Sequence, residues 1–179
     1  MSVVQMLETP GGAVPLVSDE IWSAENGSSR DLRHAFGRFA TGVTVITIDS
    51  PEGPYGMTVN SFSSVSLDPA LVLWSVDRKS ARCPYFLEAS HFVVNILGAG
   101  QTDMALGFAR DPFAFDDASW HESASGLPVL NNCAATLECK REAVHPGGDH
   151  FIIVGQVTRA CVAECEPLLF YKGDFGAMA

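Results

Sequence analysis

The sequence predicts a mainly β protein with a few short helices, arranged as an antiparallel barrel or sandwich. Short β-branched and aromatic runs recur along the chain between turn residues. Helical periodicity is confined to brief stretches, so long helices do not alternate with strands as they do in a doubly wound sheet. The 179 residues, of which 47% are apolar, suffice for one well-packed domain and are few for two.

The N-terminal extension, residues 1–29, contains no Lys or Arg and is interrupted by Gly11-Gly12 and by two prolines. This composition predicts a flexible arm. Alternatively, residues 14–22 could lie across a partner subunit, because Ile21 and Trp22 are costly to expose to water. The domain itself is expected to span residues 30–179.

The first regular element expected is a helix over residues 30–40. Ser28 or Ser29 can cap its first turn, and Asp31 places a negative charge near its N-terminus. Its apolar side chains recur at helical spacing and define one face: Leu32, Ala35, Phe36 and Phe39. The β-branched run at residues 43–48 then predicts a buried strand, and the turn at residues 51–54 predicts a hairpin.

The returning strand of that hairpin opens a strip of small polar side chains at residues 56–67. Apolar residues alternate there with groups that can hold a ligand: Thr58, Asn60, Ser61, Ser63, Ser64 and Ser66. Such a strip can wrap a polar ligand that also has an apolar face. A half-buried strand followed by a Ser-rich loop explains the composition equally well, since Ser and Thr are common in turns.

The remaining elements are short. A turn at Asp68-Pro69 leads into a strand over residues 71–76, and Ser80 is expected to cap a helix over residues 81–89. A second short helix is expected at residues 101–110, followed by a long loop to residue 130. The later strands are expected at residues 91–97, 134–140, 150–165 and 168–171.

Composition excludes several classes of function. The net charge of -10 leaves no basic surface for nucleic acid. Five cysteines without a CxxC pair argue against a zinc site or a disulfide framework. The chain shows neither a signal peptide nor a run of roughly 20 apolar residues, so a soluble, cytoplasmic protein is expected. Motifs of hydrolases, Rossmann dinucleotide sites and P-loops are missing as well.

Three groups of residues remain as candidates for binding or catalysis outside the hydroxyl strip. A glycine turn at residues 145–149 delivers His150 to the end of an apolar strand, where it can bind a ligand or simply cap the strand. The aromatic tail at residues 167–175 is equally compatible with a core strand. Cations that flank Ser80 could bind a phosphate at the following helix or form a solvated cluster: Arg78, Lys79 and Arg82.

Five segments, taken in order, strongly resemble the short-chain flavin reductase family, the reductase components of two-component flavin-dependent monooxygenases. The resemblance covers about residues 30 to 176, and five ordered segments are more specific than any one of them. They are RHAFGRFATGVTVIT (33–47), GMTVNSFSSVSLDPALVLWSV (56–76), HFVVNIL (91–97), GGDHFIIVGQV (147–157) and PLLFYKGDF (167–175).

The resemblance implies a homodimeric FMN-binding split β-barrel, antiparallel and Greek-key-like. It implies an NAD(P)H:flavin oxidoreductase that binds free FAD or FMN in a groove near the dimer interface and receives hydride from the nicotinamide. The reduced flavin would then pass to a separate monooxygenase. The direct passage of hydride between stacked rings needs little acid-base machinery, so the protein's task would be orientation.

The resemblance also implies roles for particular residues. His150 would lie beside the nicotinamide as the catalytic residue, and the segment that covers it would be Tyr171, Lys172, Gly173 and Asp174. The flavin ring and ribityl chain would contact Thr41, Gly42, Val43, Thr44, Thr58, Val59, Asn60 and Ser61. Contacts toward the ribityl chain, the phosphate or the ring would come from Ser63, Ser64, Ser66, Ser80, Arg82, Val94 and Asn95.

Two alternatives stay open at this point. The same barrel could be a non-enzymatic flavin- or haem-binding module that carries electrons or senses a ligand, although the His150 turn and the Tyr171 segment speak against it. The chain could also be a structural dimer in which the hydroxyl strip merely packs. Within the reductase interpretation, relatives favour FAD over FMN, and the acidic surface without a basic pocket favours NADH over NADPH.

Overall fold

The computed structural model describes residues 28–178, so the expectations for the N-terminal extension lie almost wholly outside it. The described part contains three helices: α1 (Ser29–Phe36), α2 (Cys83–Glu88) and α3 (Thr102–Arg110). Its strands are β1 (Thr41–Gly42), β2 (Thr44–Ser50), β3 (Gly53–Val59), β4 (Ser63–Leu67), β5 (Ala70–Asp77), β6 (His91–Ile96), β7 (Trp120–Glu122), β8 (Pro128–Leu130), β9 (Ala135–Gly147), β10 (His150–Val162), β11 (Leu169–Tyr171) and β12 (Asp174–Gly176). The expected mainly β class with a few helices is confirmed.

Seven strands form one antiparallel sheet in the order β3-β2-β6-β9-β10-β5-β4. The edge strands β3 and β4 are consecutive in the chain and are joined by residues 60–62 alone. Four Cα steps span at most about 14 Å, whereas the edges of a flat seven-stranded sheet would lie about 29 Å apart. The sheet therefore curls until its two edges approach at that end. Ser61 fastens the link, because its hydroxyl oxygen accepts from Ser75 N at 3.0 Å.

Two further sheets pack beside the large one. Strands β1, β11 and β12 form a three-stranded sheet, and β7 and β8 form a hairpin. Between residues 28 and 178, no helix is long and apolar enough to cross a bilayer.

The main core fills the concave side of the curled sheet. Trp74 lies at its centre and makes edge-on contacts with Phe86 of α2 and Phe92 of β6, at ring-centroid distances of 5.2 and 5.9 Å. A second core packs α3 against β2, the chain after β6 and the three-stranded sheet, and it includes Phe108 and Leu168. The main core is made largely of β-branched and aromatic side chains, as the strand pattern predicts, whereas these types make up half of the second core.

The second core approaches strand β3 so closely that position 56 must be glycine. A Cβ atom at Gly56 would lie 2.6 Å from the Phe108 ring. We expect Gly56→Ala to lower the free energy of unfolding by about 1–3 kcal/mol, because the ring has to move. Gly100→Ala serves as the control, since a Cβ there meets nothing within 4 Å. Equal denaturation midpoints for the two variants would contradict this account of the packing.

Helix α1 begins as predicted and ends earlier. Ser28 is its N-cap, and Ser28 and Asp31 form a capping box in which each backbone N–H donates to the other side chain. The hydrogen bonds from Ser28 lower the pKa of Asp31. The helix ends at Phe36, so Phe39 lies beyond it, and both rings are uncovered: Phe36 is 57% and Phe39 is 77% exposed. The helical periodicity of the sequence identified the apolar residues but did not show which surface covers them.

Three other boundaries need correction. Helix α2 begins at Cys83, and Ser80 does not cap it; the Ser80 hydroxyl instead accepts the Arg82 N–H at 3.2 Å. The loop expected to reach residue 130 contains the β7–β8 hairpin. Strand β9 continues to Gly147, seven residues beyond the expected end, because its second half still pairs with β10. This half faces solvent and carries charged residues, so the sequence shows no apolar run there.

Candidate functional site

His150 is the first residue of β10, directly after the turn that follows β9. Gly148 makes this turn possible with a φ of +67°. The imidazole Nδ1 lies 2.7 Å from the Asp149 carboxylate oxygen, and the side chain is only 13% exposed. The hydrogen bond to His150 lowers the pKa of Asp149, which keeps that carboxylate ionised. Because an ionised carboxylate only accepts, the ring nitrogen Nδ1 carries a proton, and Nε2 is an acceptor whenever the ring is neutral.

The other nitrogen of this imidazole gives the strongest indication of a ligand site. Nε2 is buried and has no hydrogen-bond partner among the described residues. A buried polar atom left unpaired costs about 1–3 kcal/mol, so such atoms are rare in folded proteins. A ligand that donates a hydrogen bond to Nε2 would remove this cost.

A second turn lies beside the His150 turn. Asp77 pairs with His150 across strands β5 and β10. The chain then turns, with Ser80 N donating to the Asp77 carbonyl at 3.1 Å and Lys79 N donating to the Asp77 carboxylate at 2.8 Å. The structure therefore brings Ser80, an expected phosphate contact, to the same end of the paired strands β5 and β10 as the expected catalytic histidine.

Several expected ligand contacts have their polar side-chain atoms occupied inside the protein. Thr44 donates to the Val59 carbonyl at 3.0 Å, and Thr58 donates to the Ala105 carbonyl at 2.7 Å. The Asn95 amide donates to Val45 O and accepts from Leu130 N. Val43, Val59 and Val94 belong to the core. These six residues therefore offer a flavin no free polar atom on their side chains.

The guanidinium of Arg82 is bonded to backbone carbonyls. Its guanidinium donates to the Phe108 carbonyl at 2.5 Å and to the Ala109 carbonyl at 3.1 Å, both at the C-terminal end of α3. A longer bond of 3.5 Å reaches Gly56 O. Burial of the guanidinium lowers the pKa of Arg82. Arg82 therefore caps α3, because free helix carbonyls attract a cation. The phosphate contact expected of Arg82 stays a prediction.

The hydroxyl strip is divided between the two edges of the large sheet. Thr58 belongs to β3, whereas Ser63, Ser64 and Ser66 belong to β4. Ser63 and Ser64 are exposed, and a bulge displaces β4 between Ser64 and Ser66. The strip is thus not one continuous wall, although Asn60 and Ser61 link its parts where the edges converge.

A separate group gathers around the three-stranded sheet. Strand β1, with Thr41 and Gly42, pairs with β11, and Thr41 Oγ1 is buried without a hydrogen-bond partner in the described chain. The Tyr171–Asp174 turn follows β11, with Lys172 Nζ 5.0 Å from the Tyr171 ring centroid. This turn lies near the end of α1, because Lys172 N donates to Gly37 O at 3.0 Å. Within one chain, this group and His150 belong to different sheets.

Sequence reasoning missed the role of Asp149. It directly precedes His150 in the glycine turn and orients the imidazole. The only available signal was the adjacency of a carboxylate and a histidine after two glycines.

Comparison with known proteins identifies the family. Residues 36–179 match the model of the flavin reductase like domain. The chain is 46% identical, over 98% of its own length and 97% of the other's, to the FMN reductase (NADH) SmoA of Agrobacterium fabrum. It is 42% identical over 150 residues to the reductase component of a flavin-dependent trigonelline monooxygenase from Acinetobacter baylyi, of which it spans only 48%.

A solved structure extends the comparison. The NADH:FAD oxidoreductase SgcE6 of Streptomyces globisporus C-1027, in complex with NAD and FAD fragments, superimposes with a TM-score of 0.82 at 37% identity. The match covers 89% of this chain and 97% of SgcE6. The chain therefore belongs to the flavin reductase like domain family.

Proposed function

We propose that this protein is an NADH-dependent flavin reductase that reduces free FAD or FMN and delivers the reduced flavin to a separate monooxygenase. The observation that carries the proposal is the Nε2 atom of His150, which is buried and unpartnered among the described residues. It lies at the end of β5 and β10 where the Ser80 turn also lies. The relatives named above as FMN reductase, NADH:FAD oxidoreductase and monooxygenase reductase component support it.

The residues at this end of strands β5 and β10 fit a nicotinamide and a flavin. The nicotinamide, when bound, supplies a hydride to the flavin. His150 is proposed to accept a hydrogen bond at Nε2, for example from a carboxamide N–H, and so to orient the donor ring. Among residues 28–178, no protein group forms a hydrogen bond with Nε2. Because hydride passes directly between stacked rings, the contribution proposed for His150 is orientation.

Flavin contacts are proposed along β4 and the link before it, in the Ser80 turn, and in the group around the three-stranded sheet. Six residues are proposed to contact the flavin through their side chains: Asn60, Ser61, Ser63, Ser64, Ser66 and Ser80. Backbone contacts are proposed for Gly42, Thr58 and Val59, which lie on edge strands that are paired on one side only. The backbone groups of Val43, Thr44, Val94 and Asn95 are already bonded within the protein, because Val43 bonds to Leu168 and Leu97 and strands β2 and β6 are paired on both sides. The unpartnered hydroxyl of Thr41 is a candidate for a direct bond to the ligand.

The finer architecture is also part of the proposal. A split β-barrel is supported by the curled sheet, whose edge strands are joined by three residues. A homodimer is supported by large apolar side chains exposed on α1, in the chain just after it and on β4: Phe36, Phe39 and Leu67. In such a dimer, the Tyr171–Asp174 turn of the second copy would cover the nicotinamide. We place the reaction in the cytoplasm, where NADH is supplied.

An anaerobic assay tests the proposal. We expect purified protein to oxidise NADH only when FMN or FAD is added, with turnover many times the amount of enzyme, and to use NADPH less well. Flavin that stays tightly bound and is not turned over would favour the electron carrier. A protein that does not quench flavin fluorescence would favour the purely structural dimer.

A further inference from the structure

We propose that Arg78 is a positioning residue that holds His150 in its productive orientation and joins it to the Ser80 turn. The inference rests on the proposed reductase activity and adds a residue to it. Arg78 is exposed and lies outside the core, so its contacts with the histidine turn are not required by packing.

Arg78 holds two consecutive carbonyl groups of the turn that carries His150. Its backbone N–H donates to the Asp149 carbonyl at 3.0 Å. Its side-chain Nε–H donates to the His150 carbonyl at 3.2 Å. One residue therefore fixes the peptide groups on both sides of the His150 Cα atom.

The guanidinium is held at a third point. Its Cζ atom lies 4.5 Å from the centroid of the Phe151 ring, which is the residue after His150. A cation over an aromatic face is attracted by the ring quadrupole. Arg78 thus spans Asp149, His150 and Phe151 in sequence, and its own side-chain conformation is restrained by both contacts.

These contacts matter because of what the turn supports. Gly148 has a left-handed conformation, and Asp149 is largely exposed, so packing restrains the turn only weakly. The imidazole direction depends on the bond between Nδ1 and the Asp149 carboxylate. By fixing the backbone of Asp149 and His150, Arg78 fixes the direction in which Nε2 presents its lone pair.

Arg78 also belongs to the turn on the flavin side. It lies between Asp77, whose carboxylate and carbonyl accept from Lys79 N and Ser80 N, and Ser80 itself. The residue therefore connects the proposed flavin contact with the proposed nicotinamide contact. A small misplacement of two reacting rings can cost about 100-fold in rate, so we expect loss of this connection to affect kcat more than KM.

Three variants test the inference. Arg78→Met keeps the aliphatic stem and the backbone bond but removes the Nε–H donor and the cation. We expect kcat to fall about tenfold, with the KM for FMN changed less than about twofold. The primary isotope effect with NADH deuterated at the transferred position should rise, because hydride transfer becomes slower. Arg78→Lys keeps a cation near Phe151, so its kcat should fall less than that of Arg78→Met. Lys140→Met, which removes an exposed cation from β9, is the control and should behave as the wild type.

A measurement on the free protein guards against a variant whose kinetics reflect poor folding. The imidazole signals of His150 in the ¹H–¹⁵N NMR spectrum should shift or broaden in Arg78→Met, while the thermal midpoint stays near that of the wild type. Unchanged kcat and unchanged imidazole signals would overturn the inference. So would a higher KM for FMN but not for riboflavin at constant kcat, since Arg78 would then be a phosphate ligand. A wild-type protein that reduces no flavin would instead refute the proposed function.

Discussion

Replacing His150 with alanine should lower the kcat of NADH-dependent flavin reduction by about 100-fold while leaving the Kd for flavin nearly unchanged. The reason is that the buried Nε2 is the acceptor proposed to orient the nicotinamide, whereas the proposed flavin contacts lie on other residues. Stopped-flow reduction of FMN under anaerobic conditions would give the rate, and quenching of flavin fluorescence would give the Kd.

A matched control for this variant lies in the same hairpin. His145 is an exposed histidine of β9, opposite Ile152 of β10, and His145→Ala should keep wild-type kinetics. His150→Gln separates acceptor chemistry from ring shape, since the amide oxygen can accept a hydrogen bond. Unaltered NADH kinetics in His150→Ala would refute the assignment of the histidine to the nicotinamide.

The second large effect is expected on stability rather than on rate. Arg82→Met should lower the free energy of unfolding by about 3 kcal/mol, because two short charge-assisted bonds at about 1.5 kcal/mol each are lost. These bonds join the guanidinium to the carbonyls of Phe108 and Ala109. Chemical denaturation of the variant and the wild type measures the difference.

The control for Arg82 is another cation at the same helix end. Arg110 is exposed in the last turn of α3, and Arg110→Met should cost no more than about 0.5 kcal/mol. If Arg82 were a phosphate ligand, Arg82→Met would instead weaken the binding of FMN far more than that of riboflavin and leave the unfolding midpoint in place. The two outcomes exclude each other.

Local chemistry was readable from the sequence. The cap of α1 at Ser28 or Ser29, the β2–β3 hairpin and the glycine turn before His150 were all predicted, because each depends on residues within a few positions of one another. The family resemblance was carried by the same short segments, and the match to the flavin reductase like domain confirms it. The position of individual side chains within those segments was not predictable.

The side chains of Arg82, Thr58 and Thr44 show why. Thr58 meets Ala105, 47 residues away, and Arg82 meets Phe108, 26 residues away. The sequence of a segment is the same whether its hydroxyl or guanidinium groups face a ligand or the end of a helix, so sequence alone does not distinguish the two. Only the packing of α3 against β3 assigned these donors to backbone carbonyls.

The sequence by itself determined that this protein is a mainly β flavin reductase homologue with a histidine at a turn, because hydrophobic alternation and turn residues act over short distances. The tertiary structure decided which hydroxyls remain free, which cation caps a helix and which one holds the histidine. It did so because strand pairing and helix packing join residues that are distant in the chain: β10 pairs with β5, and α3 packs against β3. Strand order, and not composition, places Arg78 beside His150.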